Sequence, residues 1–363
     1  MSVPPMPPAA ATPVSMPSAA APLAETVAAP LLTVDRLGIG FPLGSWPRRR
    51  TLRAAHDVSF AVRAGEIVAL VGESGSGKST IGRAIARILP MRTGRVTLHA
   101  QRDPAPGSSA DAPTESDLVI GPDAGAVPLA WRRRVQLIFQ DPFASLNPVF
   151  PVGHPVARAL LLHGRATSAN VDERVVAALA AVGLAPAAEL ATRYPHQLSG
   201  GQRQRVSIAR ALATEPDLVI ADEPTSMLDV SIRMDILRLF TGLRDGGRRS
   251  VLLITHDLAS ARLVADRVVV LYAGQVMEAG PSAAVLGAPR HPYARLLAAA
   301  ATRGGGLRAP LPAAGGTPPV VDPGPGCPFA ARCPEALALC RRDDAPVQAV
   351  GPDHTVRCHL SIP

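Results

Sequence analysis

A glycine-rich segment of nine residues constrains the fold of this chain more than any other feature. It reads GESGSGKST over residues 72–80, follows the apolar, β-rich run 66–71 and leads into a stretch with helical spacing over residues 79–89. A strand, a glycine loop and a helix in this order form a phosphate-binding loop, where backbone N–H groups converge on phosphate oxygens at the positive end of the helix. A chance glycine-rich turn would not bring all three parts in order, so the sequence predicts a nucleotide site.

The only lysine of the chain lies inside this segment. The chain has 37 lysine and arginine residues, and all of them except Lys78 are arginine. A compact, flexible ammonium suits the β- and γ-phosphates of a nucleotide, so we expect Lys78 to contact them and Ser79 to place its hydroxyl on Mg²⁺. The loop residues predicted to bind ATP are Gly72, Ser74, Gly75, Gly77, Lys78, Ser79 and Thr80.

Two adjacent acids follow a second apolar run, and residues 218–223 read LVIADE. A buried strand that delivers carboxylates at its C-terminal end fits an aspartate that holds Mg²⁺ directly or through water, which is the role predicted for Asp222. Glu223, one residue further on, is then placed to orient or deprotonate an attacking water. The structural alternative is a pair of surface acids that cap a loop before Pro224.

Composition and charge narrow the classes of function. The net charge of +8 suits an anionic partner, but the arginine clusters at residues 48–50 and 132–134 are not interleaved with aromatics, so solvated surface explains them as well and nucleic acid is not favoured. No apolar run approaches the roughly 20 residues of a membrane helix, and residues 1–30 resemble a disordered tail rather than a secretory signal. We therefore expect a soluble protein.

Strand-like and helix-like segments alternate along most of the chain. The strand-like segments are residues 32–34, 58–62, 66–71, 218–221 and 251–254, and helical patterns cover residues 79–89, 171–182, 202–212 and 232–243. This alternation predicts an α/β fold with a mainly parallel sheet covered on both faces. Residues 101–128, rich in small and turn-forming types, are predicted to be a flexible insertion, and residues 150–198 a helical subdomain.

A second glycine turn, LSGGQ at residues 198–202, heads another predicted helix and forms a second anion-binding turn. With this pentapeptide the chain resembles the ATP-binding cassette (ABC) ATPases, in which it closes on the γ-phosphate held by the opposite subunit. The resemblance implies a P-loop NTPase (RecA-like) nucleotide-binding domain over residues 31–285 and a head-to-tail dimer with two shared ATP sites. The contacts that it implies across the dimer are Ser199, Gly200, Gly201, Gln202 and Asp229.

The same resemblance assigns roles to residues outside the two glycine turns. Gln140, in FQDP, matches the glutamine that senses Mg²⁺ and the γ-phosphate, and His256, in ITHD, matches the switch histidine at the γ-phosphate. Phe41 matches the aromatic that stacks on adenine, with Trp46 as the alternative. The implied catalytic residues are Glu223, His256, Gln140 and Lys78, and the implied Mg²⁺ ligands are Ser79, Gln140 and Asp222.

Longer segments are similar to one branch of this family, the oligopeptide/dipeptide/nickel importers. These segments are FQDPFASLNP at residues 139–148, DVS at 229–231, HPYAR at 291–295 and the cysteine-bearing end of a C-terminal extension over residues 286–363. The resemblance implies an ATP-hydrolysing subunit that works with two membrane permeases, a second ATPase subunit and an external substrate-binding protein. It implies a peripheral location on the cytoplasmic face of the inner membrane.

The resemblance leaves the cargo open. Peptides are the expected substrate, and oligosaccharides or nickel are the alternatives. A soluble ABC ATPase that acts on DNA or ribosomes is the rival from another class, but it would usually carry a long coiled coil or two cassettes in one chain, and neither pattern is present.

All four cysteines follow residue 326, which excludes a disulfide scaffold for the whole chain. They are separated by five, six and seventeen residues, which does not match the paired C-x-x-C spacing of common zinc ribbons. The importer resemblance implies a [4Fe–4S] cluster on these thiolates, with zinc or metal-free thiols as the alternatives. The residues concerned are Cys327, Cys333, Cys340 and Cys358.

Overall fold

The structure is a computed structural model that describes residues 29–44, 50–100, 116–246, 249–302, 321 and 323–360. Nearly all of the predicted N-terminal tail, the alternative adenine contact Trp46 and residues 101–115 of the predicted insertion lie outside the described residues. Among the helices described, none combines the length and the apolar character that crossing a membrane requires.

Strands and helices alternate through the described residues. The strands are β1 (Pro30–Leu43), β2 (Arg50–Arg63), β3 (Ile67–Val71), β4 (Thr93–Leu98), β5 (Leu118–Ile120), β6 (Val135–Ile138), β7 (Leu218–Asp222), β8 (Ser250–Thr255), β9 (Arg267–Tyr272), β10 (Gln275–Pro281), β11 (Val347–Gly351) and β12 (His354–Arg357). The helices are α1 (Lys78–Ile85), α2 (Leu129–Arg134), α3 (Pro142–Ser145), α4 (Gly153–Leu162), α5 (Val171–Ala181), α6 (Ala187–Thr192), α7 (Gly200–Leu212), α8 (Val230–Asp245), α9 (Leu258–Val264), α10 (Ser282–Gly287) and α11 (Pro292–Thr302).

The central sheet has eight strands in the order β11-β12-β10-β9-β3-β8-β7-β6. The five strands from β9 to β6 in this order are parallel, and β10, β12 and β11 extend the sheet in antiparallel pairs. Every residue of β3 and of β7 is buried, as expected for parallel strands with cover on both faces. The predicted mainly parallel α/β sheet is therefore confirmed.

Alternate side chains of the central strands enter two different hydrophobic cores. Ile67, Ala69 and Val71 of β3 pack in the core that includes the helices α4, α5, α7 and α8. Val68 and Leu70 pack in the core that the sheet shares with α1 and the antiparallel strands. The two cores hold β3 rigidly from both sides, so the loop that follows it starts from a fixed point.

A second sheet, in the order β2-β1-β4-β5, is antiparallel and differs from the prediction in two places. The strand predicted over residues 32–34 extends over the whole of β1. The insertion predicted over residues 101–128 contains β5, which pairs with residues 96–98 of β4 and buries Ile120. A run of only three apolar residues shows no periodicity, so pairing with β4, and not local pattern, makes it a strand.

The helical region lies between β6 and β7. The helix predicted over residues 171–182 corresponds to α5, and α4, α5, α6 and α7 share one core with the central sheet. Helix α7 starts two residues before the predicted position, at Gly200, because Ser199 acts as its N-cap. Helix α8 likewise extends beyond the predicted residues 232–243 at both ends.

The C-terminal strands add to the edge of the central sheet, which the sequence did not predict. Strand β12 pairs with β10 at Glu278 and Ala279, and β11 completes a hairpin. The buried carboxylate of Glu278 accepts the backbone N–H groups of Arg290 and His291, and lies 2.8 Å from His354 Nε2. Paired strands and a satisfied buried acid thus join the cysteine-bearing end to the sheet.

Trp131 provides a test of the packing behind the glycine loop. Its ring is fully buried in the core around α1, and its Nε1 donates to the carbonyl oxygen of Ile85 at the end of that helix. Trp131→Ala should lower the free energy of unfolding by about 3–5 kcal/mol because it leaves a large cavity. Leu129→Ala, on the same helix but 54% exposed, should change it by less than about 0.5 kcal/mol. Denaturant unfolding of both variants measures the difference, and equal effects would contradict this packing.

Candidate active site

The glycine loop connects the buried strand β3 to helix α1 and holds its glycines in conformations that other residues avoid. Gly77 has φ +99°, and a Cβ there would overlap the carbonyl oxygen of Ala54. Gly75 has φ +79° and open space where a Cβ would stand, so ligand atoms can approach its backbone. Ser74 is exposed beside it, and Thr80 is half-buried on α1. The loop therefore presents open backbone at the start of α1, an arrangement that suits phosphate binding.

The ammonium of Lys78 lies inside the loop. Its Nζ donates to the carbonyl oxygens of Gly72 at 2.9 Å and Glu73 at 2.8 Å, and lies 3.4 Å from Ser76 Oγ. Burial lowers the pKa of Lys78, and the charges of Glu223, Asp222 and Glu73 act in the opposite direction. The side chain is thus a buried cation held by backbone carbonyls, with acidic groups nearby.

Asp222 lies at the end of β7 and faces the loop. Its Oδ1 accepts a hydrogen bond from Ser79 Oγ at 2.7 Å. Its Oδ2 is buried and accepts no hydrogen bond from the described residues, with Arg83 Nη2 3.7 Å away. Burial raises the pKa of Asp222, while the hydrogen bond from Ser79 opposes that rise. A buried carboxylate oxygen without a donor, beside a serine hydroxyl, fits a bound Mg²⁺.

Glu223 follows directly and is held by two other predicted residues. Its Oε2 accepts a hydrogen bond from Gln140 Nε2 at 3.1 Å, and its Oε1 lies 3.0 Å from His256 Nδ1. Its backbone is left-handed, with φ +46°, and its N–H donates to the carbonyl oxygen of Ile254. A strained backbone at a residue with two side-chain partners indicates that the surroundings fix its position. The ends of β6, β7 and β8 therefore bring Gln140, Glu223 and His256 together.

The two partners of this pair shift each other's pKa in opposite directions. The hydrogen bond with His256 lowers the pKa of Glu223 below its ordinary value of 4.5. The same hydrogen bond raises the pKa of His256 above its ordinary value of 6.5. Glu223 is therefore ionised at neutral pH, and His256 keeps a larger protonated fraction than a free histidine.

The second glycine turn does not contact this site within the described chain. Ser199 Oγ accepts the backbone N–H of Gln202 at 3.3 Å, and Gln202 Oε1 accepts the N–H of Ser199 at 2.9 Å, a capping box at the start of α7. Gly200 is half-buried, and Gly201 packs against Ile232. The turn thus forms a capped helix N-terminus, and Ser199 is exposed there.

Asp229 and Phe41 also lie outside the cluster around Lys78. Asp229 is the exposed N-cap residue of α8 and makes no side-chain capping bond. Phe41 is half-buried in β1, paired with Leu52 of β2, and packs against the core around α1. The adenine contact of Phe41 stays a prediction.

The four cysteines form no disulfide. Burial and the neighbouring thiols raise the pKa of Cys327 to about 11, and burial also raises the pKa of Cys333 and Cys358. Cys327 N–H donates to the carbonyl oxygen of Cys340 at 2.8 Å. Within the described residues, however, no three histidine, cysteine or acidic side chains have an arrangement that could hold a metal ion. The arrangement therefore lends no support to a metal or cluster.

Sequence reasoning missed an ion pair at the loop itself. The two terminal guanidinium nitrogens of Arg332 each lie 2.9 Å from a carboxylate oxygen of Glu73, the second residue of the glycine loop. Glu73 stood within the motif, but no local pattern indicates a partner 259 positions away. The acidic residue among the glycines was the one available signal.

Comparison with protein families gives two matches to the chain. A family described as ABC transporter matches residues 55–226, and one described as the oligopeptide/dipeptide transporter C-terminal region matches residues 277–340. These matches confirm the resemblance drawn from the motifs. They cover both the glycine loop and the beginning of the cysteine-bearing end.

Similar proteins support the same family over nearly the whole chain. A protein of Brucella abortus (strain 2308) named as a peptide import ATP-binding protein is 42% identical over 345 residues, which are 93% of this chain and 96% of that protein. A protein of Sinorhizobium fredii named as a peptide ABC transporter ATP-binding protein is 38% identical over 338 residues, 92% of this chain and 90% of that protein.

A solved structure shares the fold. It is the dimeric post-hydrolysis state of the ATP-binding cassette MJ0796 bound to ADP and Pi, with 26% identity and a TM-score of 0.54. The match covers 69% of this chain and 98% of that chain. The predicted P-loop α/β cassette fold is therefore confirmed.

The pair of Glu223 and His256 gives a prediction for titration. The contribution of this pair to the free energy of unfolding is complete between about pH 4.5 and 6.5. It is lost as the pH rises through the raised pKa of His256, and it is also lost as the pH falls through the lowered pKa of Glu223. NMR titration should therefore give His256 a pKa above 6.5 that falls in Glu223→Gln. Glu335→Gln removes a carboxylate paired elsewhere, with Arg295, and should leave it unchanged. An unaltered His256 pKa in Glu223→Gln would refute the pair.

Proposed function

This chain belongs to the ABC transporter ATP-binding family, and we propose that it is the ATP-hydrolysing subunit of an importer that takes up peptides through membrane permeases. The observation that carries the hydrolytic part is the ionised Glu223, held between Gln140 and His256 beside the Lys78 loop. The peptide-import part is supported by the names of the relatives and by the match to the oligopeptide/dipeptide transporter C-terminal region.

The loop is suited to hold the triphosphate without large rearrangement. The backbone at Gly75 is open, and α1 begins at Lys78 with no side chain capping its N-terminus. On binding ATP, Lys78 would exchange part of its bonding with the Gly72 and Glu73 carbonyls for phosphate oxygens. Since the ammonium is already desolvated and fixed, little further ordering is required.

Mg²⁺ fits beside Ser79 and Asp222, whose side chains are hydrogen-bonded to each other. Gln140, the third implied ligand, contacts the neighbouring Glu223. Bound there, the ion would neutralise charge that develops on the phosphates. The buried Oδ2 of Asp222, which lacks a donor in the described chain, supports this assignment. Ser79 Oγ and Asp222 are the groups that would hold the ion.

Glu223 is the proposed residue that directs water. A carboxylate with a lowered pKa is ionised at neutral pH and accepts a proton or hydrogen bond from water on the side away from Gln140 and His256. His256, whose pKa is raised, contributes positive charge near the γ-phosphate. Catalysis then consists of positioning and charge stabilisation.

We further propose that the site is completed by a second ATPase subunit. Ser199 is exposed at the N-terminus of α7, where backbone N–H groups favour an anion brought by another chain. Asp229 lies between two strongly exposed apolar residues, Met227 at 59% and Val230 at 75% exposure. Exposed apolar side chains beside functional residues are typical of an interface.

The proposed permease contact lies next to Gln140. Phe143 and Val149 are exposed by 55% and 70%, and Phe150 is exposed beside them. Such a group of apolar side chains on one short segment favours a protein partner over water. Docking there would place the chain peripherally on the cytoplasmic face of the membrane and link the partner to Glu223 through Gln140. A substrate-binding protein on the other side of the membrane would deliver the peptide.

A [4Fe–4S] cluster on the four thiols is proposed only as an accessory group. The resemblance to the importer branch and the presence of four thiols suggest it, whereas the placement of the thiols among the described residues does not, and no step of hydrolysis requires it. Protein purified anaerobically should then contain iron and acid-labile sulfide and absorb visible light, and Cys340→Ser should lose all three. Colourless, iron-free protein from anaerobic purification would contradict the cluster.

Glu223→Gln tests the hydrolytic assignment. In a complex with the cognate permeases, this variant should hydrolyse ATP at a rate lower by about 10²-fold or more, while still binding ATP, because the group that activates water is removed. Glu173→Gln, a change at an exposed position in the first turn of α5, should hydrolyse ATP at the normal rate. Normal turnover in Glu223→Gln would refute the role of Glu223.

The same complex tests the importer assignment. Permeases together with a substrate-binding protein loaded with peptide should stimulate hydrolysis by the wild-type protein. Stimulation by an oligosaccharide or by nickel, and not by peptide, would refute peptide as the cargo while leaving the importer assignment in place. Stimulation by nucleic acid, with no permease association, would refute the importer.

A further inference from the structure

The phosphate-binding loop is held by a side chain from the cysteine-bearing end of the chain. Arg332 Nη1 and Nη2 each donate to one carboxylate oxygen of Glu73 at 2.9 Å, a two-bond, side-by-side pairing. The two side chains are only 8% and 18% exposed. Paired charges that are shielded from water and matched in geometry interact more strongly than surface ion pairs.

Aromatic side chains fix both partners. The hydroxyl of Tyr293 accepts the backbone N–H of Glu73 at 3.0 Å, and the hydroxyl of Tyr272 accepts from Arg332 Nη1 at 3.2 Å. Phe329, three positions before Arg332, packs against both tyrosine rings, with ring centres 5.2 and 5.3 Å apart. The backbone and the carboxylate of Glu73 are therefore both restrained from the C-terminal side.

Glu73 is in turn bonded to the central cation of the loop. Its carbonyl oxygen accepts from Lys78 Nζ at 2.8 Å, so one residue separates the guanidinium of Arg332 from the ammonium that meets the phosphates. A carboxylate at this position would repel a triphosphate if it were unpaired. The partner guanidinium balances that charge next to the binding site.

We propose that Arg332 is a positioning residue for the ATP site, which it supports by neutralising Glu73 and by holding the loop in its binding conformation. The C-terminal region is then part of the nucleotide site and not only an appendage to the cassette. A change in the position of this region would alter ATP affinity through Arg332.

The ion pair between Arg332 and Glu73 is not needed to anchor the C-terminal region, because other contacts already anchor it. Strand β12 pairs with β10, Arg357 pairs with Asp57 at 2.6 Å, and Arg63 pairs with Asp353 at 2.5 Å. These contacts join the region to the body of the protein without touching the glycine loop. Loss of Arg332 alone should therefore leave the region in place.

The test measures the Kd of the full-length protein for a fluorescent ATP analogue. Arg332→Ala should raise the Kd about tenfold or more, the size expected for a charged hydrogen-bonding partner, because Glu73 is left unpaired beside the phosphates. Glu73→Gln in the Arg332→Ala background should restore most of the affinity, since it removes the repelling charge. Arg295→Ala is the matched control: it breaks an ion pair of the same region and should leave the Kd within about twofold. Denaturant unfolding checks that all variants are folded.

Hydrolysis gives a second readout, in which Arg332→Ala should raise the KM for ATP and leave kcat nearly unchanged. An unchanged Kd in Arg332→Ala would overturn the proposal. A raised Kd in Arg332→Ala that adding Glu73→Gln does not lower again would also overturn the proposal. Arg332 would then have only a structural role. Absence of ATP binding by the wild-type protein would instead refute the nucleotide site on which the proposal rests.

Discussion

The structure depends on one buried cation and the carbonyl groups that hold it. Lys78 Nζ is removed from water, and such a charge is stable only if each donor finds an acceptor. The carbonyls of Gly72 and Glu73 supply two of them because the loop turns back over the end of α1. That turn requires left-handed glycines and a rigid start at β3, which both hydrophobic cores hold in place. The central sheet and its two hydrophobic cores thus fix the position of the Lys78 ammonium.

The same sheet edge places two neighbouring carboxylates in different surroundings. Burial raises the pKa of Asp222, whereas the hydrogen bond from His256 lowers that of Glu223. Adjacent residues of one strand end therefore meet different surroundings, one buried towards Ser79 and one directed to Gln140 and His256. Different environments for two acids are the usual means by which one site obtains a metal ligand and a group that acts on water.

Local sequence pattern predicted much of the fold and placed several residues of the candidate site in the segments that meet there. Lys78 and Ser79 lie within one loop, and Asp222 and Glu223 end one strand, so short-range chemistry indicates them, and parallel strands then bring the strand ends together. Contacts formed by distant segments were not predictable. The pairing of β5 with β4, the addition of the C-terminal hairpin to the sheet and the contact of Arg332 with Glu73 depend on the folded arrangement. No periodicity or motif indicates these contacts, because the two partners of each contact lie apart in the sequence.

The central claim is that this loop needs an ammonium, in a chain that uses arginine everywhere else. A guanidinium is planar and larger, and it cannot donate to the Gly72 and Glu73 carbonyls and to phosphate from the position of Nζ. The most direct measurement is the Kd for Mg-ATP of Lys78→Arg compared with the wild-type protein, with unfolding curves to show that both are folded. We predict that binding weakens by about tenfold or more although the charge is kept. Wild-type affinity in Lys78→Arg would contradict the account.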